Sequence, residues 1–217
     1  MAIQTYRNYP KDTWKWMWPD VLIRLIPFTA AALLYAHFAG GLAAIGLIVP
    51  PEGWPAAIAV GLVVGAFLCV CAIYWRQQTL PNFRLPTGSD QLLQSFFYLA
   101  INAPIEEIFW RGTAQSLVIT GLYKAHLPLL WAETAAIVSV SIVFGAYHRL
   151  GGYPWKFNIA AMLAGSVFGL LYLALPGPSI VAAAIAHGLT TAGYLSWGDA
   201  ALYRIHIRKL QKEQTQV

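Results

Sequence analysis

An all-α bundle of membrane-crossing helices is the fold class this sequence predicts, and three observations predict it. Of the 217 residues 58% are apolar and only 11% are charged, where a soluble domain carries about 25% charged residues. The apolar residues gather into six runs, 21–49, 54–75, 105–123, 127–147, 158–175 and 179–197, most of them near the roughly 20 residues that a helix needs to cross about 30 Å of hydrocarbon. The lysines and arginines between the runs alternate in density, as the loops on the two sides of a membrane do.

Taken in order, a polar stretch, Tyr6 to Asp20, precedes the first run. That run is far longer than a signal-peptide core of roughly 7–15 residues, so it reads as a retained span. Arg24 sits at its cytoplasmic end, where a long side chain can snorkel to the interface. The second run holds the only cysteines, Cys69 and Cys71; two apart on a helix, they point in different directions and cannot bridge each other. Next comes the polar, Pro-containing loop RQQTLPNFRLPTGSD and then QLLQSFFYLAINA. The latter is too short and too glutamine-marked to span, and it predicts an interfacial or re-entrant helix near 91–103. Pro104 suits the first turn of a new helix, where its missing N–H costs nothing. The expected architecture is therefore about six transmembrane helices plus that extra helix.

Orientation follows from the basic residues. Arg7, Lys11 and Lys15 precede the first span, Arg76 and Arg84 follow the second, Arg149 and Lys156 follow the fourth, and Arg204, Arg208, Lys209 and Lys212 form the tail. Six spans put all of these on one face, opposite Lys124, the Glu52 turn and the uncharged LPGPS turn, which predicts an integral, multi-pass protein with both termini cytoplasmic. The net charge of +5 thus reflects topology and membrane lipid, with no nucleic-acid partner.

The segment PIEEIFWRG, 104–112, breaks the apolar pattern with three ionisable side chains. On a helix Glu107 and Arg111 are i,i+4 neighbours in the favourable order and can pair. Glu106 is rotated about 100° from Glu107 and must find its partner on another helix. An ionisable group within the membrane costs about 2.5–3.5 kcal/mol even on lenient scales and normally faces the bundle interior. Two histidines have the depth to meet it: His148, closing the fourth span, and His187, midway along the sixth, with Thr190 and Thr191 one turn on. A carboxylate, two imidazoles and a hydroxyl facing one cavity open to the cytoplasm have the makings of a general base with an oxyanion partner. His37 reads as a structural group, and GSVFG, Gly165 to Gly169, as a small-residue face for close helix packing.

These residues resemble a known family. EEIFWRG matches an E-E-x-x-x-R motif, FGAYH (Phe144 to His148) an F-x-x-x-H motif, and HGLTT is similar to H-x-x-x-N, in that order and each near a span. The pattern is similar to that of the CPBP intramembrane proteases, the Abi or CAAX-protease family that includes the Rce1 type. The resemblance covers 100–197, read as a catalytic helix bundle, and the topology divides the rest into a cytoplasmic segment 1–20, N-terminal membrane helices 21–99 and a basic tail 198–217. The resemblance implies hydrolysis of a peptide bond in a peptide or lipid-anchored protein substrate, without a cofactor. Glu106 and His148 would activate water, and His187 would stabilise the oxyanion with Thr191, which stands where the family has asparagine. Glu107, Arg111, Phe144 and Thr190 would support them. A threonine offers one hydroxyl in place of an amide of longer reach.

The same residues keep two alternatives open. One is zinc held by Glu106, His148 and His187, since two histidines and a carboxylate are a catalytic ligand set, although H-E-x-x-H is absent. The other is a catalytically silent scaffold that binds peptides or lipid chains. A transporter would show broken helices in two repeated halves, and the sequence has no such repeat.

Overall fold

The computed structural model describes residues 13–48, 53–79, 88–174, 177–198 and 200–201. Arg7, Lys11, Glu52, Arg84 and the basic tail from Arg204, on which the expected orientation leans, lie outside the described residues, as does His206. Among the described residues six helices follow one another: α1 (Thr13–Ala39), α2 (Trp54–Thr79), α3 (88–124), α4 (Leu129–Tyr147), α5 (Trp155–Ala174) and α6 (180–197). No strand occurs among them.

Four of these helices, Thr13–Ala39, Trp54–Arg76, Leu129–Gly151 and Trp155–Ala174, are long and apolar enough to cross a membrane. Their outward side chains are apolar, with Phe38 79%, Val63 72%, Phe67 68% and Leu130 70% exposed. That surface suits lipid, and the protein is an integral membrane helical bundle. The other two expected spans are helices of a different kind. α3 carries Glu106, Glu107 and Arg111 within its apolar stretch, and α6 is buried along most of its length, so both line the interior.

The helix expected near 91–103 is present, but the break expected at Pro104 is not: the helix runs on through the proline as the first half of α3. A proline in a regular helix loses a hydrogen bond and its ring collides with the carbonyl four residues back. Here the preceding turn, Phe97–Asn102, is a wider i→i+5 turn, which lets the helix run on through the proline.

Close packing rests on small residues, as it must where lipid supplies no hydrophobic drive between helices. α2 lies along α6 with Gly61 over Ala182 and Gly65 over Ala186; a Cβ on Gly65 would stand 2.9 Å from the Ala186 Cα. Gly165 and Gly169 of α5 form the close-packing face expected of them, one against Phe144 and Ser141 of α4, the other against Gln115 of α3 and Ile137 of α4. Trp16 on α1 stacks on Tyr98 of α3 and meets Phe97 edge-on, tying the start of α1 to the first half of α3. This brings α1 against the two glutamates.

Candidate active site

Glu106 and Glu107 end the regular turns Ala103–Glu107, between the wide turn at Phe97–Asn102 and a second at Ile108–Gln115. Wide turns of this kind often mark functional sites. The rotation between neighbours sends the two carboxylates to different partners. Glu107 is fully buried, takes Arg111 Nε at 3.1 Å on one oxygen and His187 Nδ1 at 2.7 Å on the other. The expected i,i+4 pair is present. Glu106 reaches the other side of the same imidazole, with Oε2 3.5 Å from His187 Nε2.

His187 therefore stands between two carboxylates. A neutral imidazole carries one N–H, so serving both oxygens takes a second proton, on the ring or on Glu106. The ring lies flat on Phe168 (4.8 Å between centroids, 19° between planes) and meets Phe144 edge-on. These aromatic walls fix its tilt.

His148 hydrogen-bonds through Nδ1 to the Phe144 carbonyl at 2.8 Å. A carbonyl only accepts, so Nδ1 bears the proton and a neutral ring keeps its lone pair on Nε2. His148 has no ion pair or hydrogen bond to Glu106 among the described residues. Both line a cavity of about 750 Å³, together with His187, Thr190 and Thr191. Thr190 gives its hydroxyl to the Ala186 carbonyl at 2.7 Å, which removes it as a donor to the cavity. Thr191 makes no such bond among the described residues.

Arg24 is the residue the sequence reading missed. Its side chain does not snorkel to the interface. It turns inward, pairs with Glu106 Oε1 through Nη1, and holds Asp20 by two bonds, Nε to Oδ1 at 2.7 Å and Nη2 to Oδ2 at 2.6 Å. Asn102 completes the group with its amide oxygen turned to the guanidinium. A second helix thus meets α3 at one carboxylate, with His187 of α6 on its other oxygen, because an apolar bundle gives a buried glutamate few other ways to be satisfied. Asp20 and Arg24 are spaced i,i+4, acid before base, which was the available signal.

Glu106, His148 and His187 are not gathered as a ligand set. Among the described residues no three His, Cys, Asp or Glu side chains stand where they could hold a metal ion.

The fold and these contacts define a helical membrane protein with a buried carboxylate and imidazole centre at the inner end of an apolar-walled cavity. Residues 88–193 match the family model of the type II CAAX prenyl endopeptidases, Rce1-like, and over that segment the chain is similar to the CPBP/CAAX protease family. The matched segment takes in every residue discussed on α3, α4 and α6, while Asp20 and Arg24 lie outside it. No curated protein and no solved structure matches the chain.

Proposed function

We propose that the protein is an intramembrane endopeptidase that hydrolyses a peptide bond in the tail of a lipid-anchored protein, with Glu106 and His148 activating water. The observation that carries the reading is the sharing of one cavity by a buried glutamate, two histidines and an unclaimed threonine hydroxyl, in a chain similar to the CAAX-type endopeptidases. About 750 Å³ falls within the usual range of small-ligand sites, roughly 300–1,000 Å³. Apolar walls from Leu68, Ala164 and Val167 suit a lipid chain beside the peptide.

In this reading a water between Glu106 and His148 loses a proton to the pair as its oxygen attacks the peptide carbonyl. The carbonyl oxygen gains charge and meets the Thr191 hydroxyl and, with the ring protonated, the Nε2–H of His187, whose Nδ1–H stays on Glu107. The proton then passes to the leaving amine, and acid and amine separate. Glu107 and Arg111 hold His187 in place from behind. Arg24 aims the Glu106 carboxylate, and because it keeps two bonds to Asp20 it can release Glu106 Oε1 without being stranded. The basic residues near the cavity, Arg149 and Lys156 included, support a cytoplasmic opening under the positive-inside rule.

The test is cleavage of a prenylated C-terminal peptide by the purified protein in liposomes, read by mass spectrometry. His148→Ala is expected to abolish the product, and full activity would remove His148 from water activation. Arg24→Ala is expected to lower kcat about tenfold or more, since a charged hydrogen bond is worth roughly 1.5–3 kcal/mol, with Arg24→Lys restoring part. An unchanged kcat would leave Arg24 as a partner of Asp20 only. Thr191→Asn is expected to keep or raise kcat, because a longer amide donor reaches the same oxyanion. Complete loss there would mean that the pocket is built around the smaller side chain.

A further inference from the structure

Tyr147 lines the cavity one residue before His148 and has no part in the steps from water to leaving amine. Its ring is fixed by aromatic neighbours from two other helices, Phe28 of α1 at 5.9 Å between centroids and Trp110 of α3 at 5.7 Å, and by His148 edge-on at 6.3 Å. The hydroxyl is not tied down in this way. It has no hydrogen-bond partner among the described residues and is not buried, whereas the hydroxyl of the buried Tyr172 meets Ser116 at 2.9 Å. A tyrosine hydroxyl taken from water normally finds a partner. A rigid ring that keeps its hydroxyl open beside His148 is placed to meet a partner that comes with the substrate.

Where the ring stands decides which part of the substrate it meets. Glu106 turns one oxygen to Arg24 and the other to His187. Tyr147 is on the Arg24 side: Phe28, which its ring touches, follows Arg24 by one turn of α1, and the charges that act on its hydroxyl are those of Arg24 and Asp20. In the hydrolytic reading, water reaches the peptide carbon from Glu106 and His148, and the oxyanion turns to His187 and Thr191 of α6. A lipid-bearing residue lies along Leu68 of α2 and Ala164 and Val167 of α5. The direction left for the leaving nitrogen is toward α1 and Tyr147. The peptide beyond that nitrogen has a way out there too, since Ile23 and Leu150 line the cavity and are both exposed.

We infer that Tyr147 is a further catalytic residue, whose hydroxyl oxygen accepts the N–H of the scissile peptide bond and holds the leaving nitrogen on the α1 side of Glu106. The contact strengthens as the nitrogen takes up its proton and becomes cationic, because a hydrogen bond from a charged donor is about twice as strong as a neutral one. Asp20 and Glu106 share the Arg24 guanidinium on that side, and two carboxylates to one cation suit a nitrogen that gains positive charge. An interaction that is stronger in the transition state than in the bound substrate raises kcat and leaves KM nearly untouched. The inference rests on the hydrolytic reading and adds the leaving-group side to it.

The test compares Tyr147→Phe with the parent on two prenylated tail peptides, one with the scissile amide and one with an ester oxygen in place of its N–H, both in liposomes and read by mass spectrometry. Phenylalanine keeps the ring and its aromatic contacts, so thermal unfolding is expected to match the parent. On the amide the variant is expected to lower kcat about tenfold, the scale of one hydrogen bond on a barrier, with KM unchanged. On the ester, which has no N–H to give, parent and variant are expected to run alike. Equal rates on the amide would overturn the proposal. So would a tenfold loss on both substrates, which marks a hydroxyl acting through His148 and not on the leaving nitrogen. A parent that cuts neither peptide would sink the endopeptidase reading itself, and the role of Tyr147 with it.

Discussion

Glu106→Gln is expected to abolish peptide hydrolysis while leaving a folded protein. The amide keeps the shape of the side chain and one oxygen for Arg24, but it cannot take a proton from water. Positioned general acid–base groups contribute about 10²–10⁴ in rate, and the reading given to Glu106 asks it to begin the attack. Stability should change little. Arg24 retains two bonds to Asp20, and His187 retains Glu107 at 2.7 Å. The measurement pairs product formation from a prenylated tail peptide with thermal unfolding in the same detergent. Undiminished turnover by a folded variant would remove Glu106 from the reaction. Loss of folding would instead make the contact with Arg24 a structural staple.

How much of this site the sequence discloses depends on where each partner lies. The Glu107 and Arg111 pair is legible because both residues share a helix and helical spacing fixes their meeting. Glu107 with His187 joins residues 80 positions apart, and no periodicity reports such a contact. Depth along a span suggests that His187 belongs with the glutamates, yet not which of the two it serves. Arg24 fails differently. Its position near a span end fits snorkelling, and the packing of Trp16 on Phe97 and Tyr98 and of Phe28 on Phe109 brings α1 close enough to turn it inward. In α3 the local rule that a proline opens a helix gives way to a wide turn, so a break expected at Pro104 is continuous helix. Gly165 and Gly169 are readable as a packing face, but not the polar atoms of Arg111 and Gln115 that they pack against.

Glu107→Ala and Arg111→Ala are each expected to cost most of the folded protein. Both side chains are 0% exposed, and their 3.1 Å contact is the one bond that the Arg111 side chain makes among the described residues. Removing either member of a buried pair strands the other charge, a loss of about 3–5 kcal/mol, against a total stability of roughly 5–15 kcal/mol for a folded domain. The alanine at 107 also frees His187 Nδ1, so that variant should be the worse of the two. Replacing both, Glu107→Gln with Arg111→Met, removes the charges together and keeps an amide oxygen for His187. It should recover much of the lost stability, because no buried charge is then left without its partner. Monodisperse yield and thermal unfolding of the parent, the two matching single variants and the double close a double-mutant cycle. A double variant as damaged as the sum of the singles would mean that the two residues act separately. Singles as stable as the parent would mean that neither buried charge depends on the other.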